Sequence, residues 1–170
     1  VSEVQETQRD QAAILRFIER YAGHLADAGM QRMAARVFVA LLCQDSGRMT
    51  ATDMAEKLQV SPAAISGAVR YLGQANMIER EREPGSRRDY YVIQSDDLWY
   101  DVITRREQFI QRWTSTMQEG MELLGENTPA GLRWKETLEF YTFLHERLPD
   151  VLLEWRQRRA ELHRKWGLTD

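Results

Sequence analysis

Apolar residues recur along this chain with two different periods, and the changes of period mark out its parts. Between Arg9 and Ala26, Ile14, Ile18, Tyr21 and Leu25 stand four, three and four positions apart, a single stripe on an amphipathic helix. Gly29 closes it. A second helix is predicted from about Met30 to Asp45, and its centre, Val37 to Cys43, is apolar on every side. Such a helix belongs inside a core. Two short helices with explicit start signals follow. Thr50 and Asp53 form a T-x-x-D cap ahead of Met54, Ala55 and Leu58. Ser61-Pro62 is an N-cap followed by proline at the first helical position, where its missing N–H costs nothing. Only Gln59-Val60-Ser61 separates the two, the spacing of a helix-turn-helix.

The period then drops to two. Met77–Glu83 and Arg88–Gln94 flank the turn sequence Pro84-Gly85-Ser86-Arg87, which predicts a β-hairpin. Alternation on the first strand puts Ile78, Arg80 and Arg82 on one face and Glu79, Glu81 and Glu83 on the other. After the capping cluster Ser95-Asp96-Asp97, a long helix is predicted to about Leu124, at ~40 Å longer than a small domain needs for its own core. Gly125 to Pro129 breaks it. Two further helices are expected, Pro129 to Leu148 and Asp150 to Trp166, divided by Pro149. The predicted class is mainly α: a winged helix-turn-helix with long flanking helices that form a dimerisation region. Its parts are residues 1–46 (N-terminal helices), 47–95 (DNA-binding module) and 96–170 (long helix and C-terminal helical region).

Composition narrows the chemistry. With 170 residues and one cysteine, Cys43, the chain can bury a core without a disulfide, and it has too few thiols for a cysteine-rich zinc site. That usage suits a reducing cytoplasm. No apolar run approaches the ~20 residues of a membrane span, and no secretory leader is read at the start. His24, His145 and His163 lack ligand spacing, so no metal and no cofactor are expected. Phosphate loops, nucleophile elbows and paired catalytic carboxylates are absent, and no enzymatic activity is expected.

A net charge of −3 argues against nucleic acid only as an average. Arg48 to Ile93 holds seven Lys/Arg against six Asp/Glu, and Arg80 to Arg88 alone holds four arginines against two glutamates. With Ile65, Val69 and Leu72 turned inward, the second short helix presents Ser61, Ala63, Ser66, Gly67 and Arg70 outward. Small residues permit close approach to a major groove ~12 Å wide, serines and an arginine can bond phosphates or base edges, and the cap residue Thr50 joins them as a candidate contact. Arg80, Arg82, Arg87 and Arg88 form a charged finger suited to a narrow minor groove.

The run Met49 to Ser66, continuing through Arg70-Tyr71-Leu72 and Met77-Ile78-Glu79-Arg80 to Pro84-Gly85-Ser86-Arg87-Arg88, resembles the helix-turn-helix and wing of the MarR superfamily, most closely its GbsR-type branch. Arg88 matches the arginine that MarR wings insert into the minor groove. Ser86 stands where those wings often carry aspartate, and Asn76 where a glycine is common. The resemblance implies a dimeric cytoplasmic transcription regulator, in many relatives a repressor released by a small ligand, on a pseudo-palindromic double-stranded operator. It also implies a homodimer built from the first helix, the long helix and the C-terminal helices, which carry Trp134, Trp155, Leu162 and Trp166. Trp99, Tyr100 and Trp113 are the candidate effector-binding residues, an aromatic cage for a quaternary ammonium ligand. Core or dimer packing is the plainer reading of those aromatics, and inert burial that of Cys43. A winged helix that binds protein instead of DNA is the alternative function, because fold alone does not choose between them.

Overall fold

The computed structural model describes residues 10–83, 88–93 and 97–168, the side chains of 105–112 excepted. The chain divides into two compact units, Val1–Leu98 and Trp99–Asp170.

The first unit is built on a helix whose centre is apolar on every side. Helix α2 (Arg32–Leu42) buries Ala34, Ala35 and every residue from Val37 to Leu41. Its apolar centre is enclosed by α1 (Gln11–Asp27), whose Ile18 and Ala22 are buried, and by α3 (Ala51–Leu58) and α4 (Pro62–Gln74). Met54, Ile65 and Leu72 reach the same core with no exposed surface. Burial of such side chains stabilises by roughly 1.5–3 kcal/mol each, so this cluster dominates the cohesion of the unit.

Local signals set the short helices. Thr50 Oγ1 accepts from the Asp53 N–H at 3.1 Å while Asp53 Oδ2 accepts from the Thr50 N–H at 3.0 Å, a complete capping box. Ser61 Oγ accepts from the Ala64 N–H, and Pro62 occupies the first turn of α4. Gln59, at φ 52°, adopts the left-handed conformation that ends α3 and turns the chain into α4.

Strands β2 (Ile78–Arg82) and β3 (Asp89–Ile93) form the predicted antiparallel hairpin. A third strand, β1 (Arg48–Thr50), pairs with the outer side of β3, giving the order β1-β3-β2. Three residues between a turn and a helix cap carry no period of their own. Pairing with Val92, Tyr91 and Tyr90 is what makes them a strand.

The second unit holds α5 (Leu98–Leu124), whose first residue lies in the first unit, and α6 (Pro129–Trp166). The expected pair of C-terminal helices is one helix of 38 residues that continues through Pro149. Proline contributes no N–H and crowds the preceding turn, at a cost of about 3 kcal/mol in a helix interior. Leu152, one turn later, is buried, and this tertiary anchor holds the helical course beyond the proline. Thr128 caps α6, its Oγ1 accepting from the Gly131 N–H at 3.0 Å. Gly131 is buried because the chain doubles back on it: a Cβ there would stand 2.0 Å from the Gly125 carbonyl oxygen.

Candidate nucleic-acid interface

Helix α4 presents the side predicted for it. Ile65, Ala68 and Leu72 are buried, whereas Ser61, Ala63, Ser66, Gly67 and Arg70 are exposed. Val69, expected to face inward, is half-buried; Ala68 fills the inward position. Gly67 has open space where a Cβ would stand, so the outward face at this turn is flat. Two of the candidate contacts have local duties as well. Ser61 caps α4, and Thr50, half-buried, caps α3.

The hairpin segregates charge as its period requires. Cross-strand pairs share a face, so Ile78, Arg80 and Arg82 lie with Ile93, Tyr91 and Asp89, while Glu79 and Glu81 lie with Val92 and Tyr90. At its base the arginine face buries Ile78 and Met49. Towards the tip it is exposed, with the Arg80 and Arg82 side chains 60% and 71% accessible. The opposite face has its own cation: Arg48 lies 4.4 Å from the centre of the Tyr90 ring and 3.9 Å from Glu83.

Sequence reasoning missed the partner of the β2 arginines. Asp89 Oδ2 accepts from Arg80 Nη2 at 2.5 Å, and Asp89 Oδ1 lies 3.5 Å from Arg82 Nε. The Arg80 hydrogen bond, with the charges of Arg80 and Arg82, holds the Asp89 carboxyl below the usual range and pushes the Arg80 guanidinium above its own. Charge counted from Arg80 to Arg88 stops one residue short of this acid. Period-two alternation on β3 groups Asp89 with Tyr91 and Ile93, and the strand register sets that face against Arg82.

Arg88 is exposed beside Asp89, at the edge of a polar cleft of about 400 Å³ lined also by Thr50, Asp53, Glu56 and Tyr91. Arg87, the other tip arginine, lies outside the described residues, as does Ser86.

Tyr100 and Trp113 do not come together within one copy of the chain. Tyr100 and Trp113 are both on α5, which puts them about 20 Å apart along one continuous helix, too far for one small ligand. Trp113 packs edge-on against Tyr141 of α6, and Arg156 places its guanidinium 3.7 Å from the centre of the Tyr100 ring. A face already occupied by a cation repels a quaternary ammonium. Trp99 is 46% exposed. Tyr100 does line a cleft of about 210 Å³, with Thr104, Pro149, Leu152, Leu153 and Arg156.

Cys43 is half-buried at the end of α2, beside Ala13, Ile14, Phe17 and Leu42. Burial pushes its thiol above the usual range against the smaller opposing pull of Lys57, which keeps it protonated and poorly nucleophilic. Among the described residues no group of three or more His, Cys, Asp or Glu is placed to hold a metal ion, and no helix is long and apolar enough to cross a membrane.

Two family models match the chain: a MarR family model over residues 36–90, and a model of MmpR5-like MarR family transcriptional regulators over residues 97–158. The chain is 27% identical over 153 residues to the HTH-type transcriptional regulator MmpR5 of Mycobacterium tuberculosis, covering 87% of this chain and 90% of that one. It is 32% identical over 80 residues to the putative HTH-type transcriptional regulator YvaV of Bacillus subtilis, covering 47% of this chain and 45% of the relative. The crystal structure of a transcriptional regulator, 25% identical, matches with a TM-score of 0.74 over 85% of this chain and 99% of its own.

Proposed function

Since this chain belongs to the MarR superfamily, DNA-binding transcription regulators that are typically dimeric, we propose that it is a homodimeric, ligand-responsive repressor acting in the cytoplasm on a pseudo-palindromic operator. Narrower membership of the GbsR-type branch rests on the sequence resemblance alone. The observation that carries the reading is that one unit combines a capped helix having an exposed, small-featured outer side with an adjacent strand bearing exposed arginines. In this reading α4 enters the major groove through Ser66, Gly67 and Arg70. The wing follows the backbone with Arg80, Arg82, Arg87 and Arg88.

Dimerisation is supported by what the helices leave uncovered. Along α6, Leu132, Phe140, Phe143, Val151 and Leu153 are each more than half exposed, and Trp166 is 62% exposed. On α1, Phe17 and Tyr21 stack with centroids 5.9 Å apart, and both are exposed. A second copy would remove such surface from water, and two α4 helices about 34 Å apart would span one turn of DNA. The cleft at Tyr100 is the place assigned to the effector, which would favour a spacing of the two modules that misses the half-sites.

Selection of bound fragments from genomic DNA, followed by gel shifts across salt, tests this reading. Specific retardation of the chain's own upstream DNA is expected, with affinity falling steeply as salt rises because phosphate contacts release counterions. Arg70→Ala should cost about 1–3 kcal/mol and relax specificity at one base pair. Absence of any shift would favour a protein-binding winged helix. Sedimentation showing only monomer would remove the dimer.

A further inference from the structure

We propose that Asp89 sets the DNA selectivity of the wing, acting as the fixed counter-charge that aims Arg80 and Arg82 and keeps them from gripping phosphate indiscriminately. This inference rests on the wing being part of the DNA interface. Asp89 stands directly opposite Arg82 in the antiparallel register, and Arg80 lies on the same face two residues along β2. Each carboxylate oxygen serves one guanidinium: Oδ2 accepts from Arg80, and Oδ1 faces Arg82. The acid lies beneath the bases. Its side chain is 25% accessible against 60% and 71% for the arginines.

That layering matters because a guanidinium has five N–H donors in a rigid fork. Asp89 takes an Nη2 donor of Arg80 and faces Nε of Arg82, which leaves the remaining donors of each fork to meet phosphate. Pairs this exposed contribute little to stability, so the consequence of the arrangement is positional and electrostatic. Two arginines and one aspartate carry a net charge of +1 where the arginines alone would carry +2. The long-range pull on any duplex is weakened, while the short-range donors remain in place. A phosphate that moves deeper across the sheet face meets the Asp89 carboxylate and is repelled. Specificity is a difference of affinities, and trimming the indiscriminate component widens it.

The test uses the full chain, an operator-containing duplex and a scrambled duplex of equal length, titrated across salt. Asp89→Asn keeps the shape and removes the charge. It should bind the scrambled duplex about 3–10-fold more tightly at low salt, steepen the log–log salt dependence by about one per wing, and lower the operator-to-scrambled ratio. In an Arg80→Gln/Arg82→Gln background the same change should no longer lower the ratio, because there are no guanidiniums to release. If Asp89→Asn leaves the ratio at the wild-type value while the double arginine change weakens binding, Asp89 is only a strand pair and the proposal is wrong. An equal rise in scrambled-duplex binding in both backgrounds also overturns it, since bulk charge would then explain the effect. If neither the aspartate nor the arginine changes alter binding to either duplex, the wing is not at the DNA and the underlying reading fails. Circular dichroism identifies a variant that does not fold. Asp89→Ser then takes its place with the same expected outcomes.

Discussion

Arg36 of α2 holds Glu19 of α1: its Nε donates to Glu19 Oε1 at 2.7 Å, and the guanidinium reaches across to a third helix as well. Nη2 donates to the Leu58 carbonyl at 2.9 Å, in the last turn of α3. The Arg36 side chain is only 16% exposed. One planar fork therefore ties the N-terminal helix to the turn that aims α4. Arg36→Ala is expected to destabilise the chain by about 2 kcal/mol, the scale of hydrogen bonds to a charged group. Arg36→Lys should recover no more than part of this, since a point charge cannot serve both partners. Urea denaturation with unchanged slope checks it, and a loss below about 0.5 kcal/mol for the alanine variant would refute the tie.

The corner between α5 and α6 requires Gly131. A methyl group there would meet the Gly125 carbonyl oxygen at 2.0 Å and its carbon at 2.8 Å, both backbone atoms that cannot rotate aside. Gly131→Ala should therefore cost about 1–3 kcal/mol or more, the range for overpacking. Gly120→Ala, with nothing near its Cβ, should be neutral or stabilising. Thermal melts of the two alanine variants give a direct contrast, and equal melting temperatures would contradict the close approach.

Asn76 joins α4 to β2 at φ 53°, a left-handed conformation that asparagine tolerates and β-branched residues resist. Asn76→Gly should be neutral or stabilise by up to about 1 kcal/mol. Asn76→Val should destabilise by more than that. The order of the two midpoints in a denaturant titration is the measurement, and valine equal to glycine would refute the assignment.

Asp89 predicts an acid-side effect. Its folded carboxyl titrates below the usual aspartate value of about 3.9, because Arg80 and Arg82 favour the ionised form. The stabilisation is complete above that unfolded value and is lost as pH falls through the folded one. Partial burial of the carboxyl opposes the shift without reversing it. Wild type should therefore lose more stability than Asp89→Asn between about pH 4.5 and 2. A carbon-detected titration should give Asp89 a midpoint below the usual aspartate value of about 3.9, and a midpoint at or above it would be contrary evidence.

What local chemistry controls was legible in the residues themselves. Thr50 with Asp53, and Ser61 with Pro62, satisfy helix ends within four residues, so the two short helices and the turn between them could be placed from the sequence. The all-apolar run of α2 required a core, and alternation from Ile78 to Glu83 required a strand with its arginines on one side. Helix α4 likewise shows the predicted outer face, because a 3.6-residue period leaves no other arrangement once Ile65 and Leu72 are buried.

Tertiary structure decided the features that depend on partners distant in sequence. Strand β1 exists because Val92 and its neighbours pair with it, and α6 passes Pro149 because Leu152 is buried beyond it. Tyr100 and Trp113 stand about 20 Å apart along α5, and Arg156 comes from another helix to cover the tyrosine. Composition likewise could say that arginines gather at the hairpin, but not that Asp89 would meet two of them. That pairing follows from strand register, which Ile78 entering the core fixes, and it leaves a net charge of +1 on three side chains where the two arginines alone would carry +2.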